Sequence, residues 1–184
     1  HLCPRRPGPR GRPHALTPGL SFANDFPTLP PPMSTTHLLA RAVIRRKDRV
    51  LVVRADGQSH TFLPGGHVEY GEGLVGCLRR ELREELGVDA TGGGYRGTVE
   101  HRWHRDGTPQ YELNHCFAVT VPALSAAADP EAREDYLTFE WVPLNTEALT
   151  AADLQPAPLR RLLVDGTGDG AAWWASTMKP IASG

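Results

Sequence analysis

The apolar positions of this chain change period several times, and each change marks a candidate element. From Thr36 the pattern is strand-like. Leu38 to Ile44 is rich in aliphatic residues, Lys47-Asp48 interrupts it, and Arg49 to Arg54 gives a second, mostly apolar run. Such short runs bounded by polar breaks predict two buried strands or a hairpin. Thr61 to Leu63 is a short extended piece ended by Pro64-Gly65-Gly66, a strong turn signal. Between 73 and 87 the period lengthens. Leu74, Leu78, Leu82 and Leu86 recur every four residues along one helix face, and Gly87 stands where a helix commonly stops.

Further along, Gly92-Gly93-Gly94 reads as a flexible joint. Two strands are predicted near 95–104 and 110–121, joined through Asp106-Gly107 as a hairpin. Pro122 to Asp135 reads as an Ala/Pro loop, Tyr136 to Val142 as a strand and Ala157 to Val164 as a short helix. From Gly166 the tail is Gly-rich, with Trp173-Trp174 as the residues able to dock back on the core. This order of strands, helix, strands and helix predicts an α/β fold: a mixed sheet covered by helices on both faces.

Composition narrows the class. A length of 184 residues suits one domain of ordinary size plus some excess. With 40% hydrophobic and 22% charged residues, the chain reads as soluble and globular. Nine of its 17 prolines fall in residues 1–32 beside Arg5, Arg6, Arg10 and Arg12, a segment too poor in apolar surface to offset its ordering entropy. The expected organisation is a disordered Pro/Arg-rich extension over 1–33, a folded domain over 34–165 and a tail over 166–184. Met33 is read as the true start, with the preceding segment an over-extended reading frame; a basic tethering arm is the functional alternative.

The formal net charge is −1, so no global field draws the protein to nucleic acid or anionic lipid. Affinity for phosphates must come from a local site. No apolar run approaches the ~20 residues that span a bilayer, and Pro18, Asp25 and Pro27 break the least polar N-terminal stretch. A cytoplasmic protein is expected, and both monomer and homodimer remain open. Cys3, Cys77 and Cys116 have spacings that fit neither a disulfide framework nor a zinc ligand set. Cys77 and Cys116 read as small core side chains in a reducing compartment.

One stripe of the 73–87 helix is not explained by core packing. Glu81, Glu84 and Glu85 lie at i, i+3 and i+4, so their carboxylates converge on one side. Alone, such a stripe reads as a solvated face neutralised by Arg79, Arg80 and Arg83. Upstream, however, stand Glu69, Glu72 and a glycine turn that lets backbone approach a ligand closely. Clustered hard oxygens suit Mg²⁺ or Mn²⁺, with waters and substrate phosphates completing the shell.

Residues Gly66 to Val88 carry a specific resemblance. Gly66, Glu72 and the run Arg80-Glu81-Leu82-Arg83-Glu84-Glu85-Leu86-Gly87-Val88 match G-x5-E-x7-R-E-U-x-E-E-x-G-U at every specified position, U being a bulky aliphatic. That pattern resembles the Nudix box, and Leu63-Pro64-Gly65 is similar to the family's usual lead-in. The resemblance implies an α/β/α sandwich and a pyrophosphohydrolase dependent on Mg²⁺ or Mn²⁺. It implies metal ligation by Glu81, Glu84 and Glu85, with Glu81 acting as, or orienting, the general base in some members, and by the Gly65 carbonyl. Arg80 and Glu72 match a pair that braces the loop against the helix.

In MutT-like members one more carboxylate comes from a loop about six residues before a late Trp. Taking that Trp as Trp141 points to Asp135, with Glu134 beside it. Arg54, Glu100, Arg102, Glu112 and Asn114 lie on the strands that form the family's substrate cleft and are the specificity candidates. His101 and His104 flank Trp103, but at i and i+3 on a strand they face opposite sides. They therefore read as surface or substrate-edge histidines rather than joint metal ligands.

Markers that resemble the ADP-ribose, dinucleoside polyphosphate and coenzyme A subclasses are missing, which leaves a MutT-like (d)NTP substrate by elimination. Nucleotide sugars and ADP-ribose remain alternatives. The rival readings are a silent nucleotide-sensing module and a diphosphate isomerase on the same fold. The first rival is weakened by the complete box. The second requires an active-site Cys and acid that Cys77 and Cys116 do not obviously supply. No nucleic-acid or membrane partner is expected.

Overall fold

The structure, a computed structural model, describes residues 33–166 and 171–178. The expectations for residues 1–32 lie outside these. Six strands form one mixed sheet: β1 (Thr35–Arg46), β2 (Arg49–Ala55), β3 (Thr91–Arg105), β4 (Thr108–Thr120), β5 (Leu137–Pro143) and β6 (Trp173–Ser176). Their order is β5-β2-β1-β4-β3-β6, with β1 parallel to β4, β3 parallel to β6 and the remaining pairs antiparallel. Three helices accompany it: α1 (Leu74–Leu86), α2 (Thr146–Ala151) and α3 (Leu159–Asp165).

The helices cover both faces, as the pattern predicts. Leu78, Leu82 and Leu86 of α1 pack with Ala40, Ala42 and Ile44 of β1, and with Leu51 and Val53 of β2. On the other face Leu149, Leu159 and Leu163 pack with Val43, Val50, Val52, Val99 and Cys116. Burial of each such leucine contributes about 2 kcal/mol. Trp173 is buried in this second cluster while Trp174 is exposed, so the tail returns to the core as the sheet's edge strand.

Two departures from the sequence reading have local causes. Gly92-Gly93-Gly94 is no joint but part of β3, held by pairing with β4 through register shifts at Gly92/Gly94 and Tyr95/Gly97. Glycine supplies the positive φ that such bulges use, as at Gly92 (84°) and Gly93 (128°). Helix α2 was not anticipated. It is only six residues long, and the Asn145 side chain caps it by accepting from the Ala148 N–H at 2.8 Å.

The site is positioned by a fork in the sheet. β1 and β2 are paired only at Arg45↔Val50 and Arg46↔Arg49, and the segment 61–68 enters the gap that opens beyond. Ala42 N–H donates to the Pro64 carbonyl at 2.8 Å, Ala40 N–H to Gly66 at 3.1 Å and Val68 N–H to Leu38 at 3.0 Å. On the other side of the fork, Val53 and Phe62 exchange both backbone bonds at 2.9 Å. The glycine turn is thus clamped between two strands, directly ahead of α1.

Candidate active site

Helix α1 begins at a glycine N-cap and ends at Gly87, whose left-handed φ of 67° wraps the last turn. Between these ends Arg80 organises the acidic stripe. Its Nε and Nη2 donate to the two oxygens of Glu72 at 3.0 Å each, a bidentate pair. Its Nη1 donates to Glu81 and to Glu84 at 2.9 Å, and Nη2 also reaches the His67 carbonyl at 3.1 Å. Glu72, hydrogen-bonded by Arg80, has its pKa held below the usual value. These bonds fit the bracing role that the resemblance implies for Arg80 and Glu72. Arg83, by contrast, pairs with Asp89 rather than with the stripe.

Glu85 stands apart. It is 6% exposed and accepts from the Gly65 N–H at 3.4 Å. Burial, with Glu81 close by, pushes its pKa up to about 8, although Arg41 pulls the other way. Burial also raises the pKa of Glu81. The fit at the turn is tight. A Cβ on Gly66 would collide with the Glu81 carboxylate, and one on Gly65 with the Ala40 carbonyl. Gly65 itself has φ 116°, a conformation that L side chains rarely adopt.

Two acids raised by burial beside a carbonyl-rich turn form a hard donor set that a divalent cation would stabilise. Among the described residues no three His, Cys, Asp or Glu side chains converge as a ready metal group; oxygens of Glu81 and Glu84 turn to Arg80 instead. Glu81, Glu84, Glu85 and the Gly65 carbonyl are the groups that the resemblance implies as ligands; in this structure that carbonyl accepts from Arg41 Nη1 at 2.6 Å.

The loop that carries Asp135 and Glu134 lies beside the end of α1. Asp135 is exposed, whereas the charge of Glu134 acts on Glu85. Glu134 also hydrogen-bonds the Tyr136 phenol, pushing its pKa up to about 12. The loop is docked on the end of α1: Arg133 N–H donates to the Glu85 carbonyl at 2.7 Å, and its guanidinium lies where a Gly87 Cβ would be. A cation over the last helical carbonyls is favoured there.

The specificity candidates divide by face, because residues directly opposite in paired strands share one. Asn114 is opposite Val99 and Glu112 opposite His101, whereas Glu100 is opposite Leu113 and Arg102 opposite Tyr111. Glu112 and Asn114 therefore share a face with His101, Trp103 and Gln110, and Glu100 and Arg102 lie on the reverse. Arg54 is engaged by Glu140 at 3.3 Å and by the Ser59 carbonyl.

Sequence reasoning missed Arg41. Its Nη1 donates to Gly65 at 2.6 Å and Leu63 at 3.2 Å, its Nε to Asn114 Oδ1 at 3.3 Å, and the guanidinium lies 5.0 Å over the Phe62 ring. Burial lowers its pKa from the usual value, opposed by Glu112 and then Glu85. His37 was also missed. It contacts His67 at 2.9 Å and Gln110 at 3.1 Å, and stacks near Trp103.

The NUDIX domain model matches residues 35–163, and the chain belongs to the Nudix family. It is 34% identical over 115 residues to an isopentenyl-diphosphate Delta-isomerase of Jannaschia sp. (strain CCS1), covering 58% of this chain but only 62% of that protein. It is 30% identical over 109 residues to nucleoside triphosphatase NudI of Escherichia coli O17:K52:H18, covering 56% of this chain and 74% of that one. In fold it is similar to a MutT protein from Bacillus halodurans, with a TM-score of 0.56 and 15% identity over 76% of this chain and 88% of that one.

Proposed function

We propose that the protein is a divalent-metal-dependent pyrophosphohydrolase that cleaves a nucleoside diphosphate linked to a further group, with a (d)NTP as the favoured case. The observation that carries the reading is the acidic end of α1, where buried Glu85 meets the Gly65 turn beside Glu81 and Glu84. Nudix hydrolases generally use divalent metal ions, here Mg²⁺ or Mn²⁺. When bound, such an ion neutralises phosphate charge and lowers the pKa of a coordinated water. The chain's own residues orient and hold. Arg80 and Glu72 keep the stripe rigid, Gly66 leaves room for the Glu81 carboxylate, and Glu81 or Glu85 takes the proton from the attacking water. Burial raises the pKa of both above the ordinary carboxylate value, that of Glu85 to about 8, and a raised pKa strengthens a carboxylate as a base. Asp135 and Glu134 are the late acidic candidates, and the charge of Glu134 acting on Glu85 supports the second.

The NudI relative, named a nucleoside triphosphatase, supports the nucleotide class. The isomerase relative favours a second reading, isomerisation of an isoprenoid diphosphate. Against it, Cys77 and Cys116 are both buried, and burial pushes their thiols up to about 11 and about 12. Neither is poised as an active-site group. No helix among the described residues is long and apolar enough to cross a membrane. The test is a phosphate-release screen over nucleoside triphosphates, nucleotide sugars, ADP-ribose and dinucleoside polyphosphates, with Mg²⁺ and with Mn²⁺. Metal-dependent release from at least one is expected; silence across the panel favours a nucleotide sensor.

A further inference from the structure

We propose that Arg41 is a positioning residue for the catalytic turn, fixing the direction of the Gly65 carbonyl from the side of the sheet opposite α1. The inference rests on the hydrolase reading for its consequence and on geometry for its content.

Four successive carbonyls of the turn are held in alternation. Those of Pro64 and Gly66 accept from the β1 backbone at Ala42 and Ala40. Those of Leu63 and Gly65 accept from the Arg41 side chain on the strand position between these two. Leu63 and Gly65 are both buried, so without the guanidinium two buried carbonyls would lose their hydrogen-bond donor, which folding penalises. Such a turn would rotate rather than bear that cost. Rotation matters because the Gly65 N–H faces Glu85 and the Glu81 carboxylate packs against Gly66.

The guanidinium is itself fixed. Its Nε is held by Asn114 Oδ1, and the Asn114 amide donates to the Val99 carbonyl at 3.4 Å and to Glu112 at 3.2 Å. The strut thus runs from β3 and β4 through Asn114 and Arg41 to the turn. A planar fork suits this task, because it bonds the turn and Asn114 at once. A lysine head group has no such reach.

The experiment uses the full chain and its Arg41→Met, Arg41→Lys and Asn114→Ala variants. Mn²⁺ binding is followed by electron paramagnetic resonance, and hydrogen exchange of peptides covering 61–68 by mass spectrometry. Steady-state hydrolysis is measured on the best substrate of the screen. Arg41→Met is expected to weaken Mn²⁺ binding about 10–100-fold and to lower kcat, with KM moved less than about threefold. Exchange should accelerate over 61–68 and not over β3 and β4. Arg41→Lys should fall between, and Asn114→Ala should shift both readouts the same way by less, which also decides the matter if Arg41→Met does not fold. Unchanged Mn²⁺ affinity with a raised KM would make Arg41 a substrate ligand and overturn the proposal. Equal losses in Lys and Met, with exchange rising across the whole domain, would also overturn it. Absence of Mn²⁺ binding in the wild type sinks the hydrolase reading alone; local exchange over 61–68 then still decides the tether.

Discussion

Glu85 offers the sharpest physical prediction, because its environment penalises the charge that its proposed role requires. Its pKa rises from an ordinary 4.5 to about 8 in the fold, through burial first and the charge of Glu81 second. Each tenfold change in acidity is worth about 1.4 kcal/mol, so the displacement amounts to about 5 kcal/mol as an upper limit. The sign follows from proton counting. Between pH 4.5 and 8 the native state holds a proton that the unfolded state has lost, so stability falls as pH rises through that window. Below 4.5 both states are protonated and the contribution is constant; above 8 both are ionised and the loss is complete.

Water entry and side-chain relaxation reduce the figure, and a change of about 1–3 kcal/mol is the working expectation. The assay is urea unfolding in EDTA from pH 5 to pH 8.5, for the wild type and Glu85→Gln. The neutral amide cannot titrate, so the wild type should lose stability relative to the variant by that amount across the range. At pH 8.5 Glu85→Gln should be the more stable of the two. Added Mg²⁺ should raise the Tm of the wild type more at pH 8 than at pH 6, since the ion binds the deprotonated acid, and should barely move the variant. Parallel pH profiles for the two proteins would refute the reasoning, because Glu85 would then titrate alike in the folded and unfolded states.

Arg80→Ala frees Glu72, Glu81 and Glu84 together. It should cost about 10–100-fold in turnover and also lower the Tm measured by calorimetry, because Arg80, Glu72 and Glu81 are part-buried and lose charged hydrogen bonds. Gly65→Ala places a Cβ against the Ala40 carbonyl at φ 116°, so Tm should fall with a loss of about 1–3 kcal/mol. Glu134→Ala should raise the Mn²⁺ concentration giving half-maximal rate, whereas Asp135→Ala should leave it near the wild-type value.

Much of this architecture could be read in the chain because its signals were local. The four-residue leucine period and Gly87 define α1 without reference to anything distant, and the box residues all fall within 23 positions. The hairpin of β3 and β4 was equally local, since Asp106-Gly107 announces its turn. The same turn contained information left unused. Counting outward from the Arg105↔Thr108 pair places Glu112 opposite His101 and Asn114 opposite Val99, so Glu100 and Arg102 could have been assigned to the reverse face. For α2 the Asn145 cap was a usable signal, masked by the helix's shortness.

Arg41 was a different case. One charge within an aliphatic run looks like a solvated edge, and its meaning depends on the parallel pairing of β1 with β4 and on a turn more than twenty residues away. The glycine run at 92–94 likewise reads as loose until its long-range pairing is known. In the late loop, position within the sequence pointed to Asp135. The docking of Arg133 on α1 also brings the charge of its neighbour, Glu134, within reach of Glu85.

The central claim is that the acidic end of α1 performs metal-dependent cleavage of a pyrophosphate bond. Its most direct test is the turnover of Glu84→Gln and Glu85→Gln beside the wild type, with saturating Mg²⁺ and the best substrate of the screen. Circular dichroism would show that the fold is kept. The account predicts that each substitution lowers kcat by about two orders of magnitude or more with native spectra. Near-wild-type turnover in both variants would contradict it and remove the box from the chemistry.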